Sequence, residues 1–210
     1  MGTADARPAP VASIGARAAG ATQQGARLKT RLHAYQHSYQ PEERTLARLA
    51  AQQQLIQQQL CNVDADIAAL LDVEPELRRK LALLTSIPGI GLTTAVVLVA
   101  ETAGFSLTEN ERQLASYAGL DVVQRQSGTS ARATTISRRG NVRLRTALYL
   151  PAISGLRCNP QLRVFYARLR ARQPNGKPGV IAVMRKLLLL CYALWKRDQL
   201  YDATYVRRVN

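Results

Sequence analysis

The sequence predicts a mainly α-helical protein with a disordered N-terminal segment, a long coiled-coil helix and a compact helical domain that contains a helix-hairpin-helix. Apolar residues recur at helical spacing, a Pro-Gly turn separates two apolar stretches, and no run of residues has a convincing strand pattern. The chain is 47% hydrophobic but only 5% aromatic, so its core must consist mostly of aliphatic side chains. We place the three segments at residues 1–43, 44–82 and 83–210.

Residues 1–43 form the segment that we expect to be disordered or weakly ordered. Their first part is rich in Ala, Gly, Pro, Gln and Thr and has no apolar period. His33 and His37 follow at a spacing that suits a metal on a helix, but no third ligand lies near them. We therefore expect no metal site in this chain.

The coiled-coil segment is predicted from an apolar seam that repeats alternately every three and four residues. Its members are Leu46, Leu49, Gln53, Ile56, Leu60, Val63, Ile67 and Leu70. A seam sustained over several heptads is typical of helices that pair, so we predict a homo-oligomer formed through this helix. The alternative is an ordinary amphipathic helix folded back on its own domain. Pro75 interrupts the seam, and a second helix resumes it.

The turn IPGIG at residues 87–91, between two helical stretches, is typical of a helix-hairpin-helix. Pro88 ends the first helix because proline cannot continue the hydrogen-bond ladder. Gly89 and Gly91 permit positive φ and place no side chain between the backbone and a ligand. The N–H groups at the start of the next helix, around Thr93, would then bind a DNA phosphate without reading base sequence. The alternative is a tight turn between two packed helices.

Further helices are predicted on both sides of an arginine-rich loop. Asn110 or Thr108 would cap a short helix, and Asn141 would cap another that runs to residue 150 and is bent or ended at Pro151. Helices are then expected at residues 160–172 and 180–197, separated by a turn at 174–179.

Positive charge is concentrated in the C-terminal half of the chain. The net charge is +15, and residues 120–210 account for all of it, with 18 Arg and Lys against three acids. Most of these basic residues are Arg, whose planar guanidinium group can bind one phosphate through two parallel hydrogen bonds. The asymmetry indicates a polyanionic partner and favours nucleic acid over anionic lipid.

Ser127 precedes a glycine in the loop-like segment 124–145, which contains no carboxylate; Asp121 is the only acid nearby. The arginines that we expect to contact phosphate are Arg125, Arg132, Arg138, Arg139, Arg143 and Arg145. Clustered guanidiniums can hold a phosphodiester and stabilise its transition state, but a serine hydroxyl also needs activation before it attacks. From these residues alone, Ser127 is by default a phosphate-binding residue, and nucleophilic attack is the alternative.

The compartment follows from the cysteines and the hydropathy. The three cysteines are odd in number and far apart, which favours reduced thiols. We find no apolar run of the roughly 18 residues that a membrane helix needs, and no hydrophobic signal region at the N-terminus. We expect a bacterial cytoplasmic protein without a membrane partner.

Several stretches occur together in a characteristic order and spacing. They are LLTSIPGIG (83–91), LASYAGL (114–120), QSGTS (126–130), ISRRGN (136–141), LRTALYLPA (144–152) and MRKLLLLCYAL (184–194). With them, residues 44–205 resemble the C-terminal half of the IS-one-ten type transposases, a family that includes the Piv-like DNA invertases and the bridge-RNA-guided recombinases.

The resemblance implies two catalytic parts. An N-terminal RuvC-like domain would hold a divalent metal, Mg²⁺, on four acidic residues, and a C-terminal part would carry a serine that joins DNA as a phosphoserine. That serine corresponds to Ser127, while Ser130 and Ser137 are weaker candidates. The resemblance also implies DNA as a partner, adds a structured guide RNA as a further candidate, and matches the coiled coil to a segment that pairs protomers.

This sequence departs from the family because nothing in residues 1–43 resembles the RuvC-like domain. We interpret it as part of a protein for DNA transposition or site-specific recombination: a truncated or frameshifted copy, or a reading frame that starts inside a longer gene. The acidic domain and its metal would be supplied in trans by a full-length transposase, and this chain itself would bind no cofactor. Two alternatives stay open: a non-catalytic dimeric module that binds DNA or RNA, and a nonfunctional remnant that does not fold stably.

Overall fold

The computed structural model describes residues 9–123, 126–127, 130–131, 135–137, 139–172 and 176–204. Within these ranges the chain is mainly α-helical, which confirms the fold class predicted from the sequence. The helices are α1 (Ala9–Gln36), α2 (Glu43–Val73), α3 (Pro75–Thr85), α4 (Leu92–Thr102), α5 (Glu111–Tyr117), α6 (Val142–Cys158), α7 (Pro160–Arg172) and α8 (Gly176–Arg197). Four two-residue strands lie between α5 and α6: β1 (Val122–Val123), β2 (Gln126–Ser127), β3 (Ser130–Ala131) and β4 (Thr135–Ile136).

Helix α1 has 28 residues, so the prediction of a disordered N-terminal segment is wrong for residues 9–36. Its buried face consists of Val11, Ile14, Ala18, Ala21 and Leu28. Small residues let this helix approach α4 closely: a Cβ on Gly15 would lie only 2.3 Å from the Cβ of Ala100. The sequence pattern missed α1 because small residues occupy much of its buried stripe, where the pattern requires large aliphatic side chains.

Helix α1 runs antiparallel to α2 and packs along its apolar seam. A Cβ on Gly25 of α1 would lie 3.3 Å from a methyl group of Ile56 in α2. Earlier in α1, Arg17 pairs with Asp66, later in α2, at 2.8 Å. These two contacts show that the helices run in opposite directions. The seam residues Leu49, Val63 and Ile67 are buried, whereas the polar seam residue Gln53 is exposed. In the single chain the seam therefore packs on its own domain, as the alternative interpretation held, and self-association stays a prediction.

Helix α4 is the centre of the core. Its residues 95–100 and Thr102 are buried, and it packs against α1, α3 and α6. The largest fully buried aliphatic side chains of the surrounding helices include Leu84, Leu144, Leu148 and Leu187. Burial of such side chains is the main favourable contribution to folding, and it confirms the aliphatic core expected from the composition.

Asparagine side chains begin α5 and α6, as the sequence predicts. The Asn110 side chain accepts a hydrogen bond from the Gln113 N–H, at 2.9 Å. Asn141 accepts from the N–H groups of Arg143, at 2.9 Å, and of Leu144, at 3.2 Å. Such caps satisfy amides that a helix leaves without partners at its start.

The expectation that Pro151 ends this helix is wrong, because α6 continues through the proline to Cys158. Proline removes one backbone hydrogen bond from a helix. The loss is tolerated here because Pro151 lies with Leu148 and Ala152 on the buried face of α6, which packs against α4 and α8.

Helix α7 has the predicted bounds, but α8 begins at Gly176, so the last four residues of the predicted turn are helical. Pro178 lies in the first turn of α8, where proline is tolerated. By length and composition α8 could cross a membrane, which the sequence expectation missed. Its residues Val183, Leu187, Leu188 and Cys191 are buried against the rest of the fold, as in the core helix of a soluble protein.

The four strands form two short antiparallel ladders, and β2, β3 and β4 lie where the sequence predicts a loop. In the outer ladder Val122 lies opposite Ile136, and in the inner ladder Ser127 lies opposite Ser130. Ladders of two residues are too short to show the alternation that identifies strands. We call these four strands together the serine hairpin and the outer ladder its foot.

Candidate functional site

Ser127, the predicted nucleophile, lies in the inner ladder of the serine hairpin. The structure describes its backbone, whereas its side chain lies outside the described part of the molecule. At about 3.3 Å per residue of strand, the backbone of Ser127 lies up to about 17 Å from the foot. The foot, in contrast, is described in atomic detail, and it joins the hairpin to the helical core.

On one side, the foot is closed by Asp121 and Ser137. The Ser137 N–H donates to the Asp121 carbonyl at 3.0 Å, and its hydroxyl donates to the Asp121 carboxylate. Asp121 is the acid that the sequence places nearest to Ser127. Because both side chains bind each other, this pair serves to hold the hairpin, and Ser137 stays the weaker nucleophile candidate.

On the other side, the chain passes closely over the end of α5. A Cβ on Gly140 would lie 2.5 Å from both the amide nitrogen of Gly119 and the carbonyl oxygen of Tyr117. The Asn141 N–H then donates to the same Tyr117 carbonyl, at 2.8 Å. The absence of a side chain at residue 140 therefore allows α6 to start directly against α5.

A cluster of polar side chains lies beneath this crossing, centred on Glu101 near the end of α4. Its carboxylate accepts a hydrogen bond from Asn141 Nδ2 at 2.7 Å and pairs with Arg143 Nη1 at 3.0 Å. The Tyr117 hydroxyl donates to the Glu101 carbonyl at 2.9 Å. The sequence reasoning missed Glu101, although it is the only charged residue of α4 and directly follows a run of apolar residues, and that was the available signal.

The structure describes three of the arginines that we expect to contact phosphate, and their environments differ. Arg139 is exposed, and the Arg143 side chain is 59% exposed while it pairs with Glu101. Arg145 is half-buried and donates to the Ala118 carbonyl at 2.8 Å, so it stabilises the end of α5. Three further predicted phosphate contacts lie outside the described residues: Arg125, Arg132 and Arg138. Phosphate binding by all of these arginines stays a prediction.

In the turn between α3 and α4, the two predicted glycines have different roles. Gly89 has a φ of 106°, and a Cβ there would lie 2.9 Å from the backbone of Gly155 in α6. Gly91 has a φ of −88° and open space around it, so the expectation of positive φ holds for Gly89 alone. Gly89 therefore faces α6 and serves packing, as the alternative interpretation of a tight turn held.

At the start of α4, Thr93 Oγ1 lies 3.4 Å from a carboxylate oxygen of Asp64 in α2. Gly91 is the N-cap residue, and it is exposed. Amides at the start of a helix favour anions, which is the basis for the predicted contact of Gly91 and Thr93 with a DNA phosphate. This contact stays a prediction.

The cysteines and histidines do not join this site. Burial raises the pKa of the Cys191 thiol to about 12, whereas Cys61 and Cys158 are exposed. The rings of His33 and His37 lie 4.5 Å apart on α1. In the part of the chain that the structure describes, no three His, Cys, Asp or Glu side chains are grouped in a way that could hold a metal ion.

Comparison with known proteins finds several relatives of this chain. The chain is 34% identical over 145 residues to the pilin gene-inverting protein of Moraxella bovis, and this match covers 68% of this chain and 45% of that protein. It is 30% identical over 155 residues to a 43.6 kDa protein of insertion element IS110 from Streptomyces coelicolor, and this match covers 74% of this chain and 37% of that protein. A transposase for insertion sequence element IS1111A from Coxiella burnetii is 40% identical over 119 residues, a match that covers 55% of this chain and 33% of that protein. These relatives carry the names of a gene-inverting protein, an insertion-element protein and a transposase.

Residues 81–167 match a family model that is described as Transposase IS116/IS110/IS902 family. These residues are similar to that family, and the resemblance found in the sequence is confirmed. The matched region runs from α3 to α7 and includes the serine hairpin and the Glu101 cluster. The chain spans less than half the length of the curated relatives described above.

Proposed function

We propose that this chain is the serine-bearing part of a DNA transposase or site-specific recombinase, and that Ser127 becomes covalently joined to DNA. The observation that carries the proposal is the serine hairpin, whose two ends are held together by the foot and by the Asp121–Ser137 pair, within an arginine-rich stretch of the chain. The names of the relatives, a gene-inverting protein and transposases, support the reaction class.

In the proposed reaction, the Ser127 Oγ attacks the phosphorus of a DNA phosphodiester. A bond between Oγ and phosphorus forms, the bond between phosphorus and the leaving sugar oxygen breaks, and that oxygen gains a proton while the serine loses one. Attack by the sugar hydroxyl of another strand on the phosphoserine would reverse these steps and seal the new junction. Guanidiniums near the hairpin, Arg139 among them, would stabilise the charge of the transition state, and Arg143 would bind a neighbouring phosphate.

The proposed nucleic-acid partner follows from the charge distribution. The C-terminal half carries the whole net charge, and Arg is suited to bidentate phosphate contacts. Gly91 and Thr93 would contribute a sequence-independent contact at the start of α4. DNA is the proposed substrate, and a structured guide RNA is a further candidate that binding measurements can test directly.

Two protein partners and a compartment complete the proposal. The resemblance assigns the divalent metal to an acidic RuvC-like domain, so we propose that a full-length transposase supplies this domain during the reaction. Self-association through α2 would bring two serine hairpins to one DNA synapse. Because the DNA substrate of a bacterial transposase lies in the cytoplasm, we propose that location.

The test is an adduct assay with the chain, a full-length family member and labelled DNA that carries the ends of the cognate insertion sequence. A protein–DNA species that survives denaturing electrophoresis should form with the wild type and be lost in Ser127→Ala. Ser130→Ala is the matched control, because Ser130 is the backbone partner of Ser127 in the same ladder.

A non-catalytic binding module is the competing function, and the same protein preparations distinguish it. It predicts that no adduct forms with any variant, while affinity for DNA falls steeply with salt. An adduct that persists in Ser127→Ala would contradict the assignment of this serine.

A further inference from the structure

We infer that Glu101 is a positioning residue for strand exchange, which fixes the foot of the serine hairpin and the guanidinium of Arg143 in one arrangement. This inference rests on the proposed function. It assigns to one carboxylate of α4 the orientation of two parts of the site: the segment that carries Ser127 and a cation at its base.

The geometry connects Glu101 to both parts at once. One carboxylate oxygen accepts from Asn141 Nδ2 at 2.7 Å, and the other pairs with Arg143 at 3.0 Å. Asn141 caps the start of α6, shortly after the hairpin ends at Ile136, and its own N–H donates to the Tyr117 carbonyl at 2.8 Å. Loss of the carboxylate would therefore release the start of α6 and the arginine together.

Burial indicates that the arrangement serves more than stability. The Glu101 side chain is only 12% exposed, against 59% for Arg143. A mostly buried carboxylate is costly unless it is paired and hydrogen-bonded, and apolar residues of similar volume often stabilise as well or better. Glu101 directly follows the buried apolar residues 95–100 of α4, so packing alone would favour a leucine at this position.

The chemistry of arginine shows how the pair can act on DNA. A guanidinium has five N–H donors in a rigid fork. Glu101 binds Nη1 and so fixes the plane of the fork, while the exposed part of the group can meet a phosphate. Because the backbone of Ser127 lies up to about 17 Å from the foot, Arg143 would hold a flanking phosphate rather than the attacked one.

The experiment compares Glu101→Gln and Glu101→Ala in the adduct assay and in equilibrium binding to the same labelled duplex. Glutamine keeps an acceptor for Asn141 but loses the charge that holds Arg143. We expect adduct formation to slow by roughly tenfold in Glu101→Gln and further in Glu101→Ala, since misplacement by about 1 Å can cost about 100-fold. DNA affinity should change by less than about threefold, because Arg143 itself remains.

Asp66→Asn is the matched control for these variants. It breaks an ion pair of similar length, Arg17 with Asp66 at 2.8 Å, between α1 and α2. Its adduct rate should equal that of the wild type.

A double-mutant cycle separates positioning from stability. In an Arg143→Ala background, Glu101→Gln should slow the reaction by less than about twofold beyond Arg143→Ala, because the two residues act as one unit. Hydrogen exchange should also accelerate at the Asn141 and Leu144 amides in Glu101→Gln, and this measurement does not depend on activity.

Three outcomes would overturn the inference. Unchanged rates in both Glu101 variants, with Ser127→Ala inactive, would refute it while the proposed function stands. A rate loss that disappears on cooling below the melting range of the variant would show that Glu101 only stabilises the fold. An adduct that persists in Ser127→Ala would refute the proposed function, and the role of Glu101 in it.

Discussion

Replacing Gly89 with alanine should destabilise the protein far more than the same replacement at Gly91. The φ of Gly89 is 106°, and left-handed backbone conformations cost an L-residue about 1–2 kcal/mol. The new Cβ would also lie 2.9 Å from the Gly155 backbone, and overpacking of this kind costs about 1–3 kcal/mol. The free energy of unfolding should therefore fall by about 2–5 kcal/mol.

Gly91 provides the control within the same turn. It has a φ of −88° and nothing within contact distance of a new Cβ. Its replacement should cost less than about 1 kcal/mol, the size of a typical N-cap effect.

Urea and thermal unfolding followed by circular dichroism measure both variants. In a chain of this size 1 kcal/mol moves the Tm by about 2–4 °C, so Gly89→Ala should lower it by roughly 4–20 °C. Equal losses in the two variants, or a loss below 1 kcal/mol for Gly89→Ala, would refute the packing role of this glycine. A selective loss of DNA affinity in Gly91→Ala would support a phosphate contact at the start of α4.

Four further predictions concern helix packing, thiols and two arginines. Gly15→Leu should separate α1 from α4 and speed proteolysis of α1, whereas Gly20→Ala, which meets no neighbour, should stabilise the helix by up to about 1 kcal/mol. Because burial raises the pKa of Cys191 to about 12, a thiol reagent at pH 8 should modify only the two exposed cysteines until the protein unfolds. Arg145→Met should lower the free energy of unfolding by about 1–3 kcal/mol, since it leaves a carbonyl unpaired. Arg139→Ala should leave stability unchanged but reduce the slope of log affinity against log salt by about 1.

Local signals in the sequence predicted the helices well. Asn110 and Asn141 cap helices because an asparagine side chain reaches amides only two or three residues away, and so the sequence contains both partners. The bounds of α7 follow from equally local spacing. The family resemblance, carried by short motifs, held for the same reason.

Long-range contacts decided the rest, and no local pattern contains them. Glu101 meets Arg143 across 42 positions of the sequence, so the role of its carboxylate becomes visible only in the fold. Arg145 has the same charge as Arg139 and Arg143, yet its guanidinium donates to the Ala118 carbonyl at the end of α5. Helix α1 depends on Gly15 fitting against α4, which makes small residues favourable where composition indicated disorder.

The most direct test of the account is to identify the amino acid that becomes linked to DNA. The adduct formed with insertion-sequence ends would be digested with nuclease and protease, and the peptide that retains a nucleotide sequenced by mass spectrometry. The account predicts a single modified residue, Ser127, bonded through its oxygen to phosphorus. A nucleotide on any other residue, or adduct formation without modification of this chain, would contradict it.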